Sequence, residues 1–422
     1  MSMSASPDLG CWPTAERDDA ILSSVLLVAD PHAQEAAADY WDMSRSAHLA
    51  VVAAVRALDD ADVAGALDDV LAEPSEPSRL AELARLVARG SAAGDPAWDR
   101  VGRVALQADA LGRLAAHLGP EHRPGGPVIT AEDLLALTSL APARPPAPAS
   151  APVCVVIPFR DRTPTRSRLR NLLACVRALQ DQSADRAAYR VVVVEADTEP
   201  RWAREISAVA DDYLHLPASG HFNKAWAVNV GVVQRATGAE LLCVLDGDVL
   251  VDRDFVARNV ARFGVRGVQA HLPYRDALCL DEASSSHAIA ARVLEGRSES
   301  PLAELRGVVL RRPPGHCVWV RRGLFERVGG FDERFEGWGG EDLDLVFRLD
   351  VVGAVDRYPD PLLHLFHDRP QTQENGRRFY AGRRLLSWNP VGPVGQLDAP
   401  ATSHDDDLAG LIEHVDDVPA ST

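Results

Sequence analysis

The sequence predicts an α/β protein, in which a doubly wound, mostly parallel sheet follows an all-α helical domain. Three observations carry this reading. Residues 153–157 (VCVVI), 191–194 (VVVV) and 241–245 (LLCVL) are continuous apolar runs without alternation, the pattern of strands buried on both faces. Between them, Leu169, Leu172, Leu173, Val176 and Leu179 mark one helix face, and residues 225–236 read as a second helix. Strand, helix and strand at this interval imply right-handed parallel crossovers. The first 140 residues instead show helical spacing with hardly a strand signal.

That first region, 1–140, has apolar periodicity through 47–58, at Leu80, Leu83, Leu86 and Val87, and at Val104, Leu106, Leu111, Leu114 and Leu118. It reads as a small helical bundle. It holds no chemical motif; His48, His117 and His122 are read as surface or packing residues. Its role is open, with acceptor binding and homo-oligomer formation as the options. Residues 141–152 (APARPPAPASAP) form a semi-rigid Pro/Ala linker. The α/β domain then occupies 153–395, and 396–422 form an acidic tail.

At 422 residues the chain exceeds one typical domain. Its 46% apolar and 25% charged residues are ordinary for a globular protein. A formal charge of −17 argues against nucleic acid or an anionic membrane as the main partner. An anionic ligand would need a local cluster of Arg and Lys. The six cysteines (Cys11, Cys154, Cys175, Cys243, Cys279, Cys317) lack metal-type pairing and fit buried thiols in a reducing cytoplasm. The N-terminus lacks the basic and apolar regions of a signal peptide, and no apolar run nears the roughly 20 residues of a membrane span. A cytoplasmic protein is expected.

In doubly wound sheets ligands bind beyond the carboxyl ends of the strands. The first strand ends in Pro158-Phe159-Arg160-Asp161-Arg162, whose arginines suit a phosphate-bearing ligand or, equally, a solvated loop. The second ends in Glu195-Ala196-Asp197, able to accept from a ribose or base edge or to cap a helix. The third ends in Asp246-Gly247-Asp248. Two like charges there are costly unless a cation neutralises them, and such oxygen ligands suit Mg²⁺ or Mn²⁺ shared with substrate phosphates. A second copy, Asp252-Arg253-Asp254, precedes the helical run 255–263 and reads as a helix cap. Between strands, Phe222 is placed to stack on a base and Lys224 to meet a diphosphate; the plain alternative is an amphipathic helix start.

The segment 337–344 (GWGGEDLD) combines a glycine-rich turn, able to approach a ligand closely, with paired acids at a helix start. It suits a general base presented to an acceptor, and Asp344 reads as a first-turn residue facing the helix dipole. Downstream, His364 and His367 lie three apart after an apolar run, and imidazole is compatible with Mn²⁺ beside carboxylates.

Together these motifs resemble the glycosyltransferases of the Rossmann-like GT-A fold, most closely the β-1,4-galactosyltransferase-like group. The likeness runs from about Val153 to Arg369. It implies nucleotide-sugar binding, with UDP as the expected nucleotide, by Pro158, Phe159, Arg160, Arg162, Phe222, Lys224 and Asp246, to which the strand-end reading adds Glu195. It implies a divalent cation, Mn²⁺ or Mg²⁺, on Asp248, His367 and His364. It implies Asp342 as catalytic base with Glu341 beside it, and acceptor or sugar contacts from Trp338, Gly339 and Gly340. Lys224 stands where the group has arginine, and His364 where the animal enzymes have a softer ligand. Gly315-His316-Cys317 shares only its glycine with the group's Gly-Gly segment. The implied reaction is metal-dependent, inverting transfer of a hexose to an unidentified acceptor, with no nucleic acid and no membrane span. A retaining transferase on the same fold, or a non-catalytic nucleotide-sugar-binding scaffold, stays open at this point.

Overall fold

A computed structural model describes residues 17–140, 147–337, 339–368, 373–374, 377–378 and 388–404. The helical region contains α1 (Arg17–Ala29), α2 (Pro31–Ala36), α3 (Ala38–Arg56), α4 (Ala61–Ala72), α5 (Pro77–Ala92) and α6 (Pro96–Gly112). Aspartates start three of these helices: Asp30, Asp60 and Asp95 each accept from backbone N–H groups of the first turn. Ile21, Val51, Leu67, Leu83, Leu86 and Trp98 are among the residues of its core.

The chain then enters β1 (Leu114–Leu118) and α7 (Ala131–Leu140). The α/β region follows with β2 (Val153–Phe159), α8 (Ser167–Gln180), β3 (Tyr189–Asp197), α9 (Ala203–Ser207), β4 (Asp212–Pro217), α10 (Lys224–Arg235) and β5 (Leu241–Leu245). It continues with β6 (Val249–Leu250), α11 (Phe255–Arg262), β7 (Ala270–Leu280), α12 (Glu282–Ile289), β8 (Arg306–Arg311), β9 (Cys317–Arg321), α13 (Arg322–Arg327), α14 (Glu341–Gly353) and β10 (Val355–His364).

The main sheet runs β1-β8-β7-β9-β5-β2-β3-β4, with β10 paired to β6 and β7. Strands β5, β2, β3 and β4 are mutually parallel, as the apolar runs predict; β2 and β3 are buried at every position. Beyond β5 the sheet is mixed, because β9, β8 and β1 run antiparallel to their neighbours. Gly231 lets α10 lie close on this sheet: a Cβ there would meet Val156 Cγ1 at 2.6 Å.

Three boundaries differ from the sequence reading. Leu114 and Leu118 belong to a strand, not to a helix. Helix α6 ends at Arg113 in a left-handed conformation, φ 52°, and the next residues pair along the open edge of β8. Nor does the Pro/Ala stretch divide the protein into separate cores, since Ile129, Ala131 and Leu134 before it share one core with β2 after it. Residues 141–146 of that linker lie outside the described residues. At the other end, 396–404 are not tail: Ala401 N donates to Glu333 Oε2 at 2.5 Å, and residues 402–403 pair with 390–391. The remainder of the acidic tail, 405–422, lies outside the described residues. Among the described residues no helix is long and apolar enough to cross a membrane.

Candidate active site

Four segments meet at the carboxyl end of β5. The turn after it carries Asp246 and Asp248. The next strand, β6, pairs with β10 through Val249 and His364, and Leu365 N donates to Asp248 O at 2.8 Å. This ladder sets both histidines beside the acids. Helix α10 starts at Lys224, capped by Asn223, whose Oδ1 accepts from Trp226 N at 2.7 Å. Helix α14 starts at Glu341 behind Gly339 and Gly340, whose φ values of 93° and 100° favour glycine. Gly337 N donates to Phe222 O at 2.9 Å, tying the acid turn to the segment before α10. Trp338 lies outside the described residues.

Lys224 is the hub. Its Nζ lies 2.7 Å from Asp246 Oδ1, 2.8 Å from Asp342 Oδ2 and 3.9 Å from Glu341 Oε1. Although burial opposes its charge, Asp246 and Asp342 hold the ammonium well above its ordinary range. Burial pushes Asp246 up to about 7, Asp342 and Asp248 adding to it against Lys224. Burial and the adjacent Asp342 likewise push Glu341 up to about 7. One ammonium therefore serves three carboxylates. Gly315 fits under Asp342 closely, for a Cβ there would fall 2.4 Å from Asp342 Oδ2.

Asp248 faces two imidazoles: His367 Nε2 lies 3.1 Å from its Oδ2, and His364 Nε2 lies 3.5 Å from its Oδ1. Ligand atoms of these three residues all lie within 4.8 Å of one another. Burial drives the His364 pKa down to about 3, so a neutral imidazole with a free lone pair is available at neutral pH. His367 Nδ1 sits 2.8 Å from Asp368 O. Donation to that carbonyl turns the Nε2 lone pair toward the Asp248 carboxylate, an arrangement that calls for a cation or proton between them. Asp248 Oδ1 is also buried without a hydrogen-bond partner. Oxygen plus imidazole donors suit a divalent transition ion, so the residues present fit the metal that the motifs imply.

The other donor-side expectations divide. Phe222 is half-buried, with the Arg160 guanidinium 5.6 Å from its ring centroid. Arg160 itself donates to Ala196 O, Gly220 O and Ala218 O; it staples the ends of β3 and β4. Arg162 is paired with Asp197, Nε to Oδ1 at 3.0 Å. Pro158 and Phe159 are buried in β2. Glu195 is fully buried, accepting from Trp202 N at 3.1 Å and Tyr213 Oη at 2.6 Å. Charge is visible in a sequence, but these partners are not. Asp252 is structural, pairing with Arg258 and accepting from Asp254 N at 2.8 Å.

Two features were not foreseen. The first turns of α8 hold the segment that carries His367. Arg170 Nη2 and Asn171 Nδ2 donate to Phe366 O at 2.6 and 3.0 Å, and Arg168 Nη2 donates to Asp368 O at 3.0 Å. Arg168 thereby stands beside the triad, and its charge reaches both His364 and Asp248. The signal was the polar run Thr165-Arg166-Ser167-Arg168 at a helix start. The second feature is Asp344, which does not serve the dipole from the surface. It is 0% exposed and paired with Arg348, which also donates to Val328 O and Gly330 O at 2.6 and 2.8 Å.

Residues 315–367, which span His316, the acid turn and both histidines, match the family model described as the N-terminal domain of galactosyltransferase. The chain is 28% identical over 241 residues to the O-antigen biosynthesis protein RfbC of Myxococcus xanthus, covering 51% of this chain and 18% of that protein. It is 30% identical over 88 residues to beta-1,4-galactosyltransferase 2 of Mus musculus, covering 19% of this chain and 24% of the mouse protein. A 29-residue stretch, 7% of each chain, is 66% identical to validoxylamine A glucosyltransferase of Streptomyces hygroscopicus subsp. jinggangensis. The chain thus spans no more than 24% of these relatives. A solved structure of GalNAc-T7 with UDP, GalNAc and Mn²⁺ overlaps 51% of this chain and 43% of its own at 14% identity, with a TM-score of 0.37. An overlay that loose supports no argument about the site. The motif resemblance to galactosyltransferase-like enzymes is borne out over residues 315–367.

Proposed function

We propose that this glycosyltransferase-like chain transfers a hexose from a nucleotide diphosphate donor, with inversion, using Asp342 as general base. The observation that carries the reading is the convergence on one cleft of Asp342, Lys224 and the Asp248–His364–His367 triad. Relatives named for galactosyl and glucosyl transfer support a hexosyl donor. UDP as the nucleotide rests on the motif resemblance.

A divalent cation, Mn²⁺ or Mg²⁺, would be held by Asp248, His364 and His367, and would supply electrostatic stabilisation of the diphosphate leaving group. The protein's own groups do the rest. Lys224 meets the diphosphate as a point charge, drawn from the carboxylates it spans. Arg168 serves the same charge from the far side of the triad, taking the role first expected of Arg160 and Arg162; those two hold the floor of the nucleotide site in shape. Asp342, released from Lys224 as the donor arrives, accepts the proton of the acceptor hydroxyl, assistance typically worth about 10²–10⁴-fold. Glu341, holding its proton near neutral pH, orients the acceptor. Gly339 and Gly340 keep the turn open to the sugar, beside the ring face expected of Trp338.

The test is Asp342→Asn. Transfer to acceptor should be abolished while Mn²⁺ and UDP still bind; retained turnover would remove Asp342 as the base. Asp248→Ala should weaken metal-dependent UDP binding, and unchanged affinity would remove the triad as the metal site. Product anomeric configuration, read by NMR, decides inversion.

A further inference from the structure

His316 occupies a costly position. It precedes β9 with φ 73°, in the left-handed region that a side chain rarely adopts. Strain of this kind persists only where the surroundings require it. The turn is fixed by Asp246 N, which donates to His316 O at 2.8 Å. The imidazole is thereby held over the two acids: a ligand atom of His316 lies within 4.8 Å of carboxylate oxygens of both Asp246 and Asp248. Its Nδ1 is buried without a hydrogen-bond partner, as is Asp248 Oδ1. Buried polar atoms are nearly always paired, so two orphans in one cleft point to an absent common partner. The ring centroid lies 4.9 Å from that of His364, which lies 5.2 Å from that of His367. Three imidazoles are therefore contiguous around one carboxylate. Asp246 is largely committed to Lys224 at 2.7 Å, which leaves Asp248 as the acid open to a cation.

We infer that His316 is a third imidazole donor to the cation held at Asp248, making a nitrogen-rich site that selects Mn²⁺, Co²⁺ or Zn²⁺ over Mg²⁺. The inference rests on the metal site proposed above and adds to it a ligand and a selectivity. Mg²⁺ prefers oxygen donors and keeps its waters, whereas each imidazole added favours the borderline ions. Such a site binds its ion before any nucleotide arrives, since the protein supplies most of the ligands.

The experiment is calorimetric titration of the full chain with Mn²⁺, Co²⁺ and Mg²⁺ in the absence of nucleotide, together with the visible absorption of the Co²⁺ form. His316→Asn and His316→Gly are compared with wild type, because both residues tolerate positive φ. Thermal melts confirm that each variant is folded. Loss of an imidazole should weaken Co²⁺ and Mn²⁺ binding by at least the roughly 10–100-fold typical of losing even a ligand's hydrogen-bond partner, leave Mg²⁺ little changed and alter the Co²⁺ spectrum. Wild-type Co²⁺ affinity and an unaltered spectrum in both variants would overturn the inference. Asp248→Ala separates the two levels. If it abolishes binding while His316→Asn does not, the metal site stands and His316 is no ligand. If it binds Co²⁺ like wild type, the site itself is misassigned and His316 falls with it.

Discussion

Replacing Asn229 by Ala should destabilise the chain by about 3 kcal/mol, from three buried hydrogen bonds at roughly 0.5–1.5 kcal/mol each. Asn229 lies on α10 and is 0% exposed. Its Oδ1 accepts from Phe331 N at 2.9 Å, and its Nδ2 donates to Phe331 O at 2.8 Å and Glu333 Oε1 at 2.9 Å. The side chain acts as a short piece of strand against the loop that leads into the acid turn. Gly330 makes room for it, since a Cβ there would stand 2.5 Å from Asn229 Oδ1. A loss of that size lowers the melting temperature by about 6–12 °C, at roughly 2–4 °C per kcal/mol for a large domain. Asn229→Asp is the sharper variant. It keeps the acceptor for Phe331 N, loses both donated bonds and sets a second carboxylate beside Glu333. It should therefore melt below the Ala variant at neutral pH and regain ground in acid, where either carboxyl can donate. The assay is a pair of thermal melts at pH 7.5 and pH 5, with circular dichroism. An Asn229→Asp protein as stable as wild type at both would refute the reasoning.

Four further outcomes follow from the geometry. Gly315→Ala should push the Asp342 carboxylate aside and lower turnover by at least about 10²-fold, with Mn²⁺ affinity unchanged by calorimetry; a full-rate variant would show that this contact does not set the base. Arg168→Met should weaken metal-dependent UDP binding about tenfold while Mn²⁺ alone binds as before; equal UDP affinity would return the phosphate role to Lys224 alone. Asp344→Asn should cost about 3–5 kcal/mol by stranding the Arg348 charge, and a melt within about 1 °C of wild type would contradict the buried pair. His48, stacked on Trp41, is held by burial at a pKa of about 4 instead of 6.5. Because the unfolded chain binds the proton more readily, stability is whole above pH 6.5 and falls toward pH 4, by about 3 kcal/mol. A His48→Leu chain should show a shallower acid decline in urea titrations, and an identical slope would count against it.

The parallel half of the sheet was legible because burial on both faces writes itself as an unbroken run, as at 153–157. The acids of the site were legible because strand ends and a glycine turn fix where Asp246, Asp248 and Asp342 must emerge. What stayed hidden depended on partners distant in sequence. Arg160 reads as a free charge until three carbonyls from 196–220 close on it. Asp344 reads as a surface acid until Arg348 and the 328–330 carbonyls bury the pair. His316 looked like a departure from a glycine pattern; only its φ and its orphaned Nδ1 give it meaning.

Strand β1 is the other concealed element, and it bears on how the chain is made. Leu114 pairs with Leu310, and the Arg113 guanidinium donates to Arg312 O, 199 positions on. The helical bundle can collapse on its own core as it leaves the ribosome, but its last strand must wait for β8 to be synthesised. Until then Leu27, Trp41 and Leu114 lack Val308, with which they form one cluster. The nascent protein therefore carries an open apolar edge from the completion of β1 until β8 is made, the state in which chains mispair or need a chaperone. A version cut within the Pro/Ala stretch would carry the opposite half of the same wound, with β8 paired only to β7 and its outer edge open for good.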